Sequence, residues 1–97
     1  MSERFEWNKP KAKANFRKHG VSFEESVSVF ANPLAVIFDD EAHSRGEVRE
    51  IIVGHSFQNR LLLVCFVERE GSVRLISARP ATVKERRDYE KGISIPR

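Results

Sequence analysis

Leu61-Leu62-Leu63-Val64-Cys65-Phe66-Val67 is the stretch on which the fold turns. Seven apolar residues in a row do not alternate between core and water, so a strand made from them is covered on both faces. The run is also far short of the ~20 residues that a membrane span needs. It therefore predicts the central strand of a sheet, with helices over one side and a further helix or a partner over the other.

Working outward from this run, residues 34–39, 48–55, 61–68 and 73–78 read as four strands. Loops fall at residues 40–46, at Phe57-Gln58-Asn59 and at Glu70-Gly71-Ser72. The last two are short enough for hairpins, which predicts antiparallel pairing. Pro80-Ala81 breaks the fourth strand, and Thr82-Val83-Lys84-Glu85 is a capping box opening a helix to about Lys91, before Gly92. Upstream, Arg4-Phe5-Glu6-Trp7 alternates like a short strand, and Asn8 caps a basic helix to about Lys18 that Gly20 stops. Ala12, Asn15, Phe16 and His19 share one face of it. Ser22-Phe23-Glu24-Glu25 is a second capping box, in which the Glu25 carboxylate reaches back to the Ser22 amide. Phe23, Val27 and Phe30 then form a core-facing stripe ended by Asn32-Pro33. The order predicts an α+β fold: two N-terminal helices, a mainly antiparallel sheet of four to five strands, and a C-terminal helix. Phe16, Phe23, Phe30 and Phe66 read as core, and Cys65 as buried within the apolar strand.

At 97 residues and 11.2 kDa the chain reads as one domain, residues 1–97, and 40% hydrophobic residues suffice for a core. The charged N-terminus lacks the apolar segment of a secretory signal. A single cysteine forbids an internal disulfide and a cysteine-based zinc site, so a cytoplasmic setting with no membrane is expected.

The net charge of +3 is segregated. Residues 1–20 hold six basic and two acidic side chains, residues 21–44 five acidic and no basic ones. Between residues 45 and 79 every cation is an arginine: Arg45, Arg49, Arg60, Arg69, Arg74 and Arg79. Arginine forms planar bidentate contacts with phosphate that lysine does not. The plain alternative is a set of solvated faces. Alternation puts Arg49, Ile51, Val53 and His55 on one face of their strand, and sets Arg74, Ile76 and Ala78 against Leu75, Ser77 and Arg79 in the fourth.

His43-Ser44-Arg45-Gly46-Glu47-Val48-Arg49 places an imidazole, a carboxylate and two guanidinium groups in seven residues. Histidine is the side chain best matched to proton transfer near neutrality. Its plain alternative is a polar turn with a Glu–Arg pair across it. Asp39, Asp40, Glu41 and His43 are of metal-ligand type, but His55 lies beyond a loop and most of a strand, so no metal and no cofactor is expected.

Five segments together resemble a known family. Phe5-Glu6-Trp7-Asn8 followed by residues 18–25, the 43–49 loop, Arg74-Leu75-Ile76-Ser77-Ala78-Arg79 and Glu85-Arg86-Arg87-Asp88-Tyr89-Glu90 resemble, in order, the BrnT family of bacterial type II toxins. Asn8 departs from the acidic residue common there. The resemblance implies a fold similar to the RelE superfamily and a ribonuclease that cuts mRNA and halts translation. It also implies a BrnA-like ribbon-helix-helix antitoxin, through which alone the toxin would reach operator DNA. Resemblance and residue type together make His43 or Glu47 the base or acid, with Arg49, Arg74 and Arg79 completing the catalytic set. Arg45, His55, Arg60 and Tyr89 would bind substrate. From residues alone, a non-catalytic RNA-binding or protein-interaction adaptor remains the alternative.

Overall fold

A computed structural model describes residues 4–92. The chain runs β1 (Arg4–Glu6), α1 (Lys9–His19), α2 (Phe23–Val29), β2 (Val36–Asp39), a single 3₁₀ turn (Glu41–His43), β3 (Glu50–His55), β4 (Leu61–Arg69), β5 (Ser72–Pro80) and α3 (Val83–Lys91). The strands form one sheet in the order β1-β5-β4-β3-β2, with the apolar run in the middle. All pairs are antiparallel except β1 with β5, because α1 and α2 intervene and return the chain to the far edge.

Local chemistry sets the element ends. Asn8 accepts the Lys11 amide at 3.0 Å, and Gly20 closes α1 in the left-handed conformation. Thr82 and Glu85 form the full reciprocal capping box at α3. The β4–β5 hairpin turns on Glu70 and Gly71, both at positive φ, the backbone of a two-residue type I′ loop. Gly54 is demanded by packing, since a Cβ there would lie 2.8 Å from the Ala35 Cβ.

One face of the sheet carries Ile52, Leu62, Val64, Phe66, Val73, Leu75 and Ala78 against the α1–α2 hairpin, with Val21, Phe23 and Val29 buried between. Asn15 stitches α1 to this layer: its amide nitrogen donates to the carbonyls of Val21 (3.0 Å) and Ala78 (2.9 Å), and its oxygen accepts the Ala78 amide. The opposite face holds Ile51, Val53, Leu61 and Leu63, with Phe38, Cys65, Ala81 and Tyr89 packed partly over them. No residue of α3 is buried, yet Ile51, Val53, Leu61 and Leu63 are at most 2% exposed, so the cover is complete over them and this face is open only at the end that carries Arg69.

Three expectations are corrected. Phe16 is 57% exposed rather than core, because α1 turns Asn15 inward and Phe16 lies one residue, about 100°, around the helix. Cys65 is half-buried, on the open face. Ser22 does accept the Glu25 amide, but the Glu25 carboxylate turns away from the cap to the Arg60 guanidinium and the buried Ser56 hydroxyl, because a charge-assisted bond is stronger than one to a backbone amide.

Candidate functional site on the open sheet face

The site begins with a bulge. Cys65 pairs with Ser77, but the next residue, Phe66, pairs with Leu75, so Ile76 is left over. Simple alternation sets Arg74 and Arg79 on opposite faces, five residues apart. The extra residue corrects this: Arg79 stands opposite Leu63 and Arg74 opposite Val67, and these two β4 residues, four apart, share the open face. Arg69 falls on the same face by the same register, and Arg49, one residue before β3, by alternation with Ile51 and Val53. The arginines therefore divide into a cluster at the end where β3 begins and Arg79, about 14 Å further along β4.

At the cluster, Glu47 receives two hydrogen bonds from Arg69, at 2.6 and 2.8 Å. These bonds, reinforced by the positive fields of Arg69, Arg49 and Arg74, hold the Glu47 carboxyl below the usual carboxylate range against a smaller opposing effect of burial. Glu47 is thus ionised near neutrality and can accept a proton but not supply one. Arg74 lies 3.9 Å from Glu6 on the neighbouring edge strand. A phosphate entering here meets guanidinium groups now held by exposed carboxylates, pairs that are worth little in water and readily exchanged.

The loop bearing His43 is framed at the same sheet end. The Asp40 amide donates to the Arg49 carbonyl at 2.8 Å, the Ser44 hydroxyl donates to the Asp40 carbonyl at 2.9 Å, and the Arg49 amide donates to the Ser44 hydroxyl at 3.0 Å. Within this frame the Asp40 carboxylate, 2% exposed, meets His43 Nδ1 at 3.0 and 3.1 Å from its two oxygens. A carboxylate at Nδ1 selects the tautomer that carries its proton there and leaves Nε2 as the working nitrogen. The His43 side chain itself is exposed, so Nε2 is open to a substrate. Asp40 is the residue that sequence reasoning passed over as a partner for His43. Its signal was the i, i+3 spacing, which places both side chains on one side of a single 3₁₀ turn.

The remaining candidates go elsewhere. Arg79 is held by Glu85 through two 2.8 Å bonds at the start of α3. His55 packs edge-on against Tyr89 with centroids 5.9 Å apart, and the Tyr89 hydroxyl donates to the Leu34 carbonyl at 2.7 Å. These two anchor α3 to the sheet. Arg45 is exposed on the loop. Arg60 belongs to the opposite face, where it binds the buried Glu25 carboxylate and the Gly20 carbonyl, so it does not join the cluster.

Fold and site thus define a small α+β protein with a cationic sheet face and an aspartate-held histidine at its rim. The family described as ribonuclease toxin, BrnT, of type II toxin-antitoxin system matches residues 7–85, and the chain belongs to that family. It is a ribonuclease toxin of a type II toxin–antitoxin system, whose substrate is RNA and whose activity an antitoxin neutralises. Its fold is similar to that of the Brucella abortus ribonuclease toxin BrnT, known from a crystal structure at 1.1 Å resolution. The likeness has a TM-score of 0.64 at 21% identity, over 84% of this chain and 99% of that one. No curated protein sequence matches the chain. Family membership decides between the nuclease and the adaptor. No helix among the described residues is long and apolar enough to cross a membrane.

Proposed function

We propose that the chain, acting as a single RelE-like domain in the cytoplasm, cleaves mRNA without a metal and so halts translation. The observation that carries this is the gathering of Glu47, Arg49, Arg69 and Arg74 on one open face, at the sheet end that also bears the Asp40-held His43. Arg69 and Arg74 would exchange their carboxylate partners for the phosphates flanking the scissile bond, and Arg49 would meet the charge that develops at phosphorus. His43 Nε2 would take the proton from the 2′-hydroxyl as its oxygen bonds to phosphorus, and the imidazolium so formed would return a proton to the 5′-oxygen as the P–O5′ bond breaks, leaving a 2′,3′-cyclic phosphate and a 5′-hydroxyl. Glu47, released from Arg69, is a carboxylate and would be the alternative acceptor of the first proton. Arg79, once freed from Glu85, and Arg45 would hold more distant phosphates. His55 and Tyr89 would support this end of the face through α3.

The antitoxin would be a BrnA-like protein whose ribbon-helix-helix part holds operator DNA. The test is RNA cleavage by purified toxin in the presence of EDTA. His43→Ala should cut ~10²–10⁴-fold more slowly, the range of a lost general acid or base, with unchanged circular dichroism. Cleavage by His43→Ala at the wild-type rate would refute the assignment, and loss of wild-type cleavage in EDTA would refute metal independence.

A further inference from the structure

On the other side of the molecule from the arginine face lies a groove of about 800 Å³ between α1, the start of α2 and the end of β1. Its floor is apolar: Trp7, Ala12, Phe16 and Phe23. Trp7 stands edge-on to Phe23 with centroids 5.8 Å apart, which fixes the inner wall, while Phe16 stands largely in solvent at the outer one. A bare aromatic beside a concave apolar floor is the kind of surface that a partner covers.

The rim says what covers it. Lys9, Lys13 and Arg17 follow one another at intervals of four residues along α1, so their charges stand in a row about 6 Å apart. Carboxylates at i, i+4 and i+8 on a second helix repeat at the same spacing. An amphipathic helix laid along α1 would therefore set its apolar stripe on Phe16, Trp7 and Phe23 and its acidic flank against this row. Among the described residues, Glu24 is the one anionic side chain lining the groove, on the α2 side, so the attraction is one-sided and orients the incoming helix. Single-stranded RNA fits this surface less well, since the cations are mostly lysines and Phe16 alone of the three rings is exposed for a base to stack on.

We propose that this groove is a docking site for an acidic amphipathic helix of the cognate antitoxin. The inference rests on reading the opposite, arginine-bearing face as the cutting site, and it makes the antitoxin's anchor separate from the surface it silences. The anchor would hold the antitoxin on α1 while another of its segments reaches the arginines.

The experiment uses the full chain and its full-length cognate antitoxin. Phe16→Ala and Lys13→Glu/Arg17→Glu each alter exposed groups, and their folding is checked by melting. Titration calorimetry should show antitoxin affinity reduced about 10-fold for Phe16→Ala. The charge-reversal variant should lose at least 100-fold at low salt, with the deficit shrinking as salt rises. Cleavage of RNA by each free toxin variant should match wild type. Unchanged antitoxin affinity in both folded variants would overturn the proposal. So would a parallel fall in RNA binding and cleavage, which would make the groove an RNA site, or a free-toxin dimer lost in the variants, which would make the occupant a second copy. Failure of the cutting-site reading shows separately, as full activity in His43→Ala, and leaves the antitoxin titrations interpretable.

Discussion

Replacing Arg60 by methionine tests whether this arginine is structural, as its position indicates, or touches RNA. Glu25 is 2% exposed and carries its charge inside the protein, held by Arg60 Nε at 2.9 Å, by a second guanidinium nitrogen and by the Ser56 hydroxyl at 2.6 Å. Methionine keeps most of the aliphatic stem and removes the charge. Breaking a buried pair from one side costs ~3–5 kcal/mol because the other charge stays behind. Arg60 is 37% exposed, so water screens part of the interaction, and the lower end, about 3 kcal/mol, applies. For a domain of this size that is a fall of roughly 12–24 °C in melting temperature. The sign with pH follows from Glu25, whose carboxyl Arg60 holds below the usual range against the upward push of burial. A depressed folded value stabilises fully above the ordinary carboxyl value of 4.5 and is lost as pH falls below it. Without Arg60 only burial and Ser56 remain, so the deficit of Arg60→Met should shrink as acid neutralises Glu25. Urea unfolding at pH 7 and pH 4, with Glu25→Gln and the double variant completing a cycle, measures each quantity. The double variant should recover part of the loss, because no unpaired charge remains. A loss below about 0.5 kcal/mol in Arg60→Met, with RNA cleavage falling in the folded protein, would refute the reasoning and return Arg60 to the substrate.

Glu85 is held at about 2 against an ordinary carboxyl value of 4.5, mainly by its bonds to Arg79 and also by the Thr82 amide. That depression is worth about 3 kcal/mol above pH 4.5, lost between pH 4.5 and 2, so Glu85→Gln should flatten the acid limb of a stability–pH curve measured in urea. Asn15→Ala should cost about 3 kcal/mol by chemical denaturation, since it leaves the Ala78 amide and two carbonyls without their partner. Arg49→Ala/Arg74→Ala should make the log–log salt dependence of RNA binding shallower by about 1.4, near 0.7 for each lost phosphate contact. An unchanged slope by fluorescence anisotropy would remove these two from the phosphate track.

Much of the fold was legible because its signals are local. Asn8, Ser22 and Thr82 each cap the helix they precede, and Gly20 and Gly92 end theirs, since these effects act within one turn of chain. The placement of Arg49 with Ile51 and Val53 also followed from alternation alone. Illegible were the contacts made across the sheet. Nothing near Glu25 in the chain announces that its carboxylate will leave its own cap for Arg60, 35 residues away. Nor does a one-dimensional pattern reveal a parallel edge strand, whose partner β5 is set by the path of two intervening helices.

The candidate face divides in the same way. Residue types and spacing were enough to single out the 43–49 loop and an all-arginine stretch, and five ordered segments were enough for the family resemblance. What only the tertiary structure decided is which of those side chains share a surface. One extra residue at Ile76 reverses the alternation between Arg74 and Arg79, and a strand's period of two makes such a shift turn every later side chain over. Arg60, with the same chemistry as its neighbours, is drawn to the far face because a buried carboxylate waits there. Charge and hydrogen-bonding capacity are written residue by residue. Which charge meets which depends on register and burial, and those exist only once the sheet has formed.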